Sequence, residues 1–360
     1  MVAPSKRSES SQSSSVGRLA SLARGVSEHL GHAVSGMQRV NMQARLLSLN
    51  ARIEAARAGD SGRAFGVVAA EMASLSERTS TLTADLATRT KAELAQLDST
   101  LEHLGAEIRG VRLSDLALSN IDLIDRNLYE RSCDVRWWAT DAAVVDALAR
   151  PDAAQVAYAS SRLGVILDAY TVYYDIVLCD LHGRVVANGR PARWRSVGRD
   201  MSETGWFREA IATRDGSEFG FRGVHRDDGL AGGELILVYS CAVREGGRSD
   251  GRVLGVLGIV FNWAALAQTI VKRTPIPEEE RGRTRVCIVD STGLVLADAD
   301  DARVLASLDL PDRAAVFASG KSHRVVEDAG VRTMVAHAVS PGYETYRTGW
   351  HSLIVQTLTE

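Results

Sequence analysis

The chain has 360 residues, of which 45% are hydrophobic and 24% are charged, and its formal net charge is −3 at pH 7. This length suits two globular domains, and the nearly balanced charge gives no general electrostatic reason to expect nucleic acid or an anionic membrane surface as a partner. Four widely separated cysteines lie in neither Cys-x-x-Cys nor metal-ligand spacing: Cys133, Cys179, Cys241 and Cys287. The last three have apolar flanks, which predicts buried thiols in a reducing compartment.

The N-terminal residues predict neither export nor membrane insertion. Residues 1–15 are Ser-rich and polar, so we expect them to be disordered, and they lack the apolar core of a signal peptide. The longest apolar stretch, residues 253–267, falls short of the roughly 20 residues of a membrane-spanning helix. We therefore expect a cytoplasmic protein without a transmembrane segment.

Long helices are predicted for the first third of the chain, because no proline occurs between Pro4 and Pro151. Apolar residues recur at heptad spacing on both sides of the Gly-Asp-Ser-Gly segment at 59–62. This pattern predicts an antiparallel coiled-coil hairpin over residues 16–118 that forms a four-helix bundle as a dimer, although a generic helical bundle fits the same periodicity. The seam positions include Ala23, Val26, Leu30, Met37, Val40, Ala44, Leu47, Ala51, Phe65, Val68, Met72, Leu75, Leu82 and Leu86.

A connecting helix is predicted over residues 119–150, since the helical pattern continues from 121 to 149. Beyond Pro151, short β-rich runs alternate with turns, and two segments repeat the order strand, Asp-x-x-Gly, strand: residues 174–189 and 285–298. We therefore expect an α+β protein in which two PAS-like α/β modules, 151–268 and 269–360, follow the helices.

The most specific segment is residues 46–78, LLSLNARIEAARAGDSGRAFGVVAAEMASLSER. Its small residues near the turn allow close helix packing. Leu46, Leu49 and Ile53 cannot all share one buried seam with the neighbouring Leu47 and Ala51, which predicts an exposed docking surface. The alternative is that these leucines complete a four-helix core.

This segment strongly resembles the signalling tip of methyl-accepting chemotaxis receptors, with Asp60 and Ala64 in place of a Glu and a Gly. The resemblance implies contacts with the chemotaxis histidine kinase and its coupling protein through Leu46, Leu49, Asn50 and Ile53. It also implies association of dimers into trimers through Met42, Leu47, Glu54 and Arg57, and a tip built from Gly59, Asp60, Gly62, Arg63 and Phe65.

Two further positions depart from the receptor pattern: Met42 replaces a frequent aromatic residue and Arg45 a frequent Asn, and both changes predict weaker assembly with other receptors. Adjacent Glu/Gln pairs, which mark the adaptation sites of such receptors, do not occur in residues 15–41 or 80–112. We therefore do not expect methylation.

The C-terminal part, about residues 120–357, resembles a double Cache domain, two PAS-like modules on a long helix. The resemblance depends on Asp180-x-x-Gly183, Asp290-x-x-Gly293 and the segments 197–211 and 255–263. It implies that a small-molecule ligand binds in the first module beneath the pair Trp206-Phe207. Versions that bind amino acids have an Arg two residues before this Trp, and here Thr204 occupies that position.

Aromatic residues are the candidate ligand contacts, since they suit a small apolar or cationic molecule. The alternative is that they fill the core. The candidates are Tyr174, Trp194, Trp206, Phe219, Phe221 and Tyr239.

The sequence contains no catalytic triad, P-loop or GxGxxG motif, so we predict no enzyme activity and no cofactor. His29 and His32 are helical neighbours without a third ligand, and a solvated helix face explains them better than a metal site.

The predicted function is that of a soluble chemoreceptor-type transducer, which links a small-molecule signal in the Cache-like part to the kinase and coupling protein. One alternative is a non-sensing scaffold of receptor arrays. Another is a binding protein whose coiled coil only dimerises it, for which Glu54→Ala or Asn50→Ala would leave chemotaxis unchanged.

Overall fold

The computed structural model describes residues 9–328 and 330–358. The chain divides into two compact units, Met1–Arg109 and Gly110–Glu360. In the first unit, helix α1 (Glu9–Arg57) is followed by a short 3₁₀ helix (Gly59–Gly62) and by the start of helix α2 (Arg63–Trp138). Residues 1–8 of the segment predicted to be disordered lie outside the described residues. Residues 9–15 belong to α1, contrary to the prediction, since serine costs a helix only about 0.5 kcal/mol relative to alanine.

Two glycines shape the connection between α1 and α2. Gly59 has φ +59°, in the left-handed region that suits glycine. At Gly62, an added Cβ atom would lie 2.2 Å from the carbonyl oxygen of Ala55. Because this contact is far below van der Waals distance, only glycine fits here without a backbone shift.

Small residues form the buried stripe of the first unit. Ser48, Ala69, Ser76 and Thr83 are buried, and the last three are seven residues apart. The hydroxyls of Ser48 and Thr83 donate to carbonyl oxygens of the preceding helical turn, at 3.1 and 2.8 Å. The stripe therefore combines heptad spacing with side chains that allow close backbone approach.

Large apolar residues of the predicted seam are exposed in the single chain. Ala23 is buried as predicted, but most of the larger seam residues face outward, since two helices can cover only one side of each other. The exposed members are Val26, Met37, Val40, Leu47, Phe65, Val68, Leu75, Leu82 and Leu86.

The connecting helix is shorter than the sequence predicted. Helix α2 ends at Trp138, and α3 (Ala142–Ala149) begins after a turn. The Asp141 carboxylate accepts a hydrogen bond from the Ala143 N–H at 2.9 Å. This N-cap starts a new helix, which explains why one uninterrupted helix does not run over 121–149.

Two five-stranded antiparallel sheets make up most of the second unit, which confirms the predicted α+β class. The first sheet has the order β2-β1-β5-β4-β3 and the second β7-β6-β10-β9-β8. The strands are β1 (Tyr173–Asp180), β2 (Val185–Asn188), β3 (Gly220–Asp227), β4 (Glu234–Arg244), β5 (Val253–Asn262), β6 (Thr284–Val289), β7 (Val295–Asp298), β8 (Lys321–Asp328), β9 (Val331–Val339) and β10 (His351–Thr357).

One longer helix precedes β1, and shorter helices lie between the strands. They are α4 (Ala153–Ala169), α5 (Gly205–Ile211), α6 (Asp228–Ala231), α7 (Trp263–Arg273), α8 (Glu278–Arg281) and α9 (Arg313–Phe317). Further 3₁₀ turns lie at Glu245–Gly247 and Asp301–Arg303.

The two Asp-x-x-Gly segments form equivalent turns. In each, the Asp Oδ1 accepts hydrogen bonds from the backbone N–H groups two and four residues later, at 2.9 and 3.0 Å in the first module and 2.8 and 2.9 Å in the second. Gly183 and Gly293 have φ +81° and +89°. The repeat seen in the sequence is therefore a structural repeat as well.

Buried acidic residues fasten the last part of α2 to both modules. The Asp125 carboxylate is fully buried and accepts four hydrogen bonds of 2.6, 2.8, 3.4 and 2.7 Å from the loop 340–348. Asp134 accepts from the Tyr173 hydroxyl at 2.5 Å and from Arg131 Nε at 3.1 Å. No helix among the described residues is long and apolar enough to cross a bilayer.

Candidate functional site

The four residues predicted to contact the kinase and coupling protein lie on one exposed face of α1. Leu46, Leu49 and Ile53 are 56%, 51% and 47% exposed, and Asn50 is exposed among them. Spacings of three and four residues place these side chains next to one another on a helix. The result is a short apolar row with one amide, which is the chemistry of a small docking surface.

The four residues predicted to join dimers are also exposed on α1. Met42 and Leu47 are among the most exposed apolar residues of the helix. The Arg57 guanidinium donates to the Glu54 carboxylate at 2.8 Å, and both side chains are largely in solvent. Such an exposed pair contributes little to stability, so its charges remain available to a neighbouring molecule.

At the turn, the predicted tip residues surround Gly62. Arg63 Nε lies 3.7 Å from an Asp60 carboxylate oxygen, and both side chains are almost fully exposed. Phe65 is 73% exposed. An exposed phenyl ring beside paired charges gives the tip apolar surface that the single chain does not cover.

Three of the six predicted ligand contacts lie on one face of the first sheet. Trp206 is buried with Phe207 in an apolar cluster that includes Val238 and Val260, and Tyr174 packs against it. Trp194 donates its indole N–H to the Tyr174 carbonyl oxygen at 2.9 Å. Side chains of the protein itself occupy much of this face, which favours the core-filling role that the sequence left open.

The other three predicted contacts lie on the opposite face. Phe221 and Tyr239 pack at a ring-centroid distance of 4.9 Å, and Phe219 lies 5.8 Å from Tyr239. Tyr239 Oη is 2.5 Å from Tyr346 Oη of the second module, and burial raises the pKa of Tyr239 well above its usual value. These rings join the two modules, so the six residues do not line one common cavity.

A polar network on the first sheet was not predicted. The Asp175 carboxylate is buried and accepts hydrogen bonds from Asn188 Nδ2 at 2.8 Å and from the backbone N–H groups of Gly189 and Arg190 at 3.1 Å. Burial raises its pKa to about 6 despite these hydrogen bonds, which lower it. The only sequence signal was a charged residue inside an otherwise apolar strand.

Cys179, Cys241 and Cys287 are buried and Cys133 is half-buried, and none of these four forms a disulfide. Burial raises the pKa of Cys241 to about 11 and that of Cys287 to about 12. These thiols therefore stay protonated near neutral pH, which makes them poor nucleophiles. Among the described residues, no three His, Cys, Asp or Glu side chains cluster as metal ligands.

Comparison with known families accounts for both units. Residues 67–360 match the model of the Cache domain. The chain belongs to the Cache domain family. Residues 5–113 match the methyl-accepting chemotaxis protein signalling domain, so both domains are present and their matches overlap over residues 67–113.

Curated relatives of this Cache protein match it mainly over short stretches. It is 40% identical over 95 residues to the biofilm dispersion protein BdlA of Pseudomonas aeruginosa, which covers 25% of this chain and 23% of that protein. It is 51% identical over 59 residues to the methyl-accepting chemotaxis protein McpK of the same organism, covering 16% and 9%. The matches thus span less than a quarter of these relatives' length.

Solved structures support the Cache fold. The ligand-binding domain of the Campylobacter jejuni chemoreceptor Tlp3, in complex with 4-methylisoleucine, aligns with a TM-score of 0.53 at 15% identity, covering 70% of this chain and 92% of that one. The ligand-binding domain of the Pseudomonas aeruginosa amino acid chemoreceptor PctC, in complex with GABA, aligns at 0.51 and 20%, covering 69% and 99%. At this identity the likeness concerns the fold alone.

Proposed function

We propose that this protein is a chemoreceptor-type signal transducer with the signalling hairpin at its N-terminal end and the Cache sensor behind it. The observation that carries the proposal is the exposed face of Leu46, Leu49, Asn50 and Ile53 within a segment that matches the chemotaxis signalling domain. In this proposal that face binds the coupling protein and the histidine kinase.

The first unit acts as a dimer in this proposal. Val68, Leu75 and Leu82 are seven residues apart on α2, and all three are exposed while small residues fill the buried stripe. A second copy that covers them would complete a four-helix bundle, and each fully buried Val or Leu side chain contributes about 1.5–3 kcal/mol. Met42, Leu47 and the Glu54–Arg57 pair would then join such dimers into trimers.

Sensing reaches the tip through α2. This helix contributes residues to both units, and Asp125 and Asp134 hold its last part against the two Cache modules. A ligand changes the output only if it binds one arrangement of helix and modules more tightly than another. Small-molecule binding in the Cache part would therefore shift the population of the docking surface.

Reconstitution with purified histidine kinase and coupling protein tests the docking role. We expect Leu49→Ala to weaken coupling-protein binding at least tenfold. The effect of the receptor on kinase autophosphorylation should decrease to a similar extent. Leu19→Ala is the matched control, because Leu19 lies on the same helix with the same 51% exposure as Leu49. Equal binding by the two variants, with unchanged helix content, would contradict the proposed docking surface.

Sedimentation equilibrium tests the dimer. Leu75→Glu should shift the chain toward the monomer, because the carboxylate would be buried in the four-helix core. Ser74→Glu places the same charge on the adjacent exposed position and should leave the dimer intact. A monomeric wild-type chain at tens of micromolar would rule out this assembly.

A second candidate function is a scaffold that joins receptor arrays without sensing. The packed apolar face around Trp206 and Phe207 favours it, because it leaves little room for a ligand in the first module. A thermal-shift screen of small molecules separates the two candidates: saturable stabilisation supports sensing, whereas coupling-protein binding without any stabilising ligand supports the scaffold.

A further inference from the structure

A cavity of about 530 Å³ that is largely open to solvent lies where the end of α2 meets both Cache modules. Arg136 of α2 lies on one side, the segment 209–219 of the first module on another, and Thr345 of the second module on a third. The cavity is separate from the apolar cluster around Trp206. Of the predicted ligand contacts, Phe219 alone belongs to its lining.

Arg136 brings a positive charge to this cavity without an acidic partner among its hydrogen bonds. Its Nε donates to the Ser132 carbonyl oxygen at 2.7 Å, and its Nη1 donates to the Ser217 carbonyl oxygen at 3.2 Å. Its Nη2 donates to the Ser132 hydroxyl at 3.3 Å. Nη2 also donates to Cys133 Sγ at 3.5 Å. None of these acceptors in the described part of the chain is a carboxylate, and of the five N–H groups of a guanidinium the second one on Nη1 remains for a ligand carboxylate.

The remaining walls select the kind of anion. The Phe219 ring, whose centroid is 5.6 Å from Arg136 Cζ, offers an apolar surface. Glu218 is neutralised by Arg214, whose Nε lies 2.8 Å from it. Glu209 accepts a backbone hydrogen bond and forms no ion pair among the described residues, so its negative charge partly offsets that of Arg136 and repels a divalent anion more strongly than a monovalent one.

We propose that this cavity binds a small monocarboxylate with an apolar or aromatic body. The carboxylate pairs with Arg136, and the body of the ligand packs on Phe219. Because the lining comes from α2 and from both modules, occupancy holds the end of this helix against the sensor. Trp138, the last residue of α2, lies only two positions beyond Arg136.

Thermal unfolding of the full chain with benzoate, propionate or inorganic phosphate tests this site. We expect benzoate to raise the melting temperature saturably, propionate to act more weakly, and phosphate to have no effect. Arg136→Met, which keeps the aliphatic stem, should abolish the shift. Arg136→Lys should weaken binding at least tenfold, because an ammonium lacks the planar fork that bonds Ser132 and Ser217 while it donates to the ligand. Arg150→Met, at an exposed arginine of the same unit, is the control and should respond like the wild type.

Three results would overturn the assignment: no shift with either monocarboxylate, an unchanged shift in Arg136→Met, or an equal shift with phosphate. If Arg136→Met fails to fold, Phe219→Leu supplies the second test, since loss of the ring should weaken benzoate more than propionate. This experiment measures ligand-induced stabilisation and not kinase control. A negative result would therefore leave the proposed kinase coupling untouched, and monocarboxylate binding could still be measured if kinase coupling were absent.

Discussion

A buried histidine pair in the second Cache module makes its stability depend on pH. His337 Nε2 lies 2.8 Å from His351 Nδ1, and the Phe317 ring stacks on His351 at a centroid distance of 3.9 Å. His337 is fully buried, and its Nδ1 has no hydrogen-bond partner among the described residues. Protonation would therefore place a charge in an apolar site.

The size of this pH effect on the free energy of unfolding follows from the pKa shift of His337. Burial, together with smaller contributions from the neighbouring His351 and Arg324, lowers its pKa from 6.5 to about 4. Burial also lowers the pKa of His351, which Asp290 partly opposes. The unfolded chain binds the proton more readily than the folded chain. The contribution of neutral His337 to the free energy of unfolding is therefore complete above pH 6.5 and is lost as the pH falls toward 4. For His337 alone the loss from pH 7.5 to 5 is about 2 kcal/mol.

Denaturant unfolding of wild type and His337→Gln at both pH values measures this effect. The comparison between the two proteins is needed because Asp175 acts in the opposite direction: burial raises its pKa to about 6, so the folded state gains stability as the pH falls through that range. We expect the wild type to lose about 2 kcal/mol more than the variant on acidification. His29→Gln, at an exposed position of α1, should follow the wild type, and parallel curves for wild type and His337→Gln would refute the reasoning.

Two glycine substitutions, and a third as a control, test the close contacts of the helices. Gly62→Ala should loosen the turn, because its Cβ would lie 2.2 Å from the Ala55 carbonyl oxygen, and faster amide hydrogen exchange at the turn would reveal this. Gly31→Ala is the control: no atom lies within 4 Å of its new Cβ, so it should stabilise α1 by about 1 kcal/mol. Gly110→Val should displace His323, whose ring would lie 2.1 Å from an added Cβ, and should lower the melting temperature of the second unit by several degrees; an unchanged melting temperature would show that the ring moves at no cost.

Features that depend on neighbours in sequence were predictable. The Asp-x-x-Gly turns follow from a side chain that bonds its own backbone and from a glycine at positive φ, as at Gly183 and Gly293. The 3₁₀ segment at Gly59–Gly62 lies where the two heptad patterns meet. Disorder over 9–15 was wrong, since α1 begins at Glu9. An unbroken helix over 121–149 was wrong because helix ends depend on single capping residues such as Asp141.

Side-chain burial was less predictable, because heptad spacing selects a helix face without saying which face meets its own chain. Ser48 and Ala69 are buried while Leu47 and Val68, one position earlier, are exposed. The aromatic candidates separated for a similar reason: successive residues of a strand point to opposite faces, so Tyr239 and its neighbour Val238 face different parts of the molecule.

The sequence alone determined the two-part organisation, the long helices, the repeated turns and the surface chemistry of the tip, since each depends on short-range spacing of residue types. Only the tertiary structure decided which distant groups meet. Arg136 lies beside Ser217 and His337 beside His351 because sheet pairing and helix packing join segments far apart in the chain. No local pattern encodes these contacts, and they determine the charge and burial at each site.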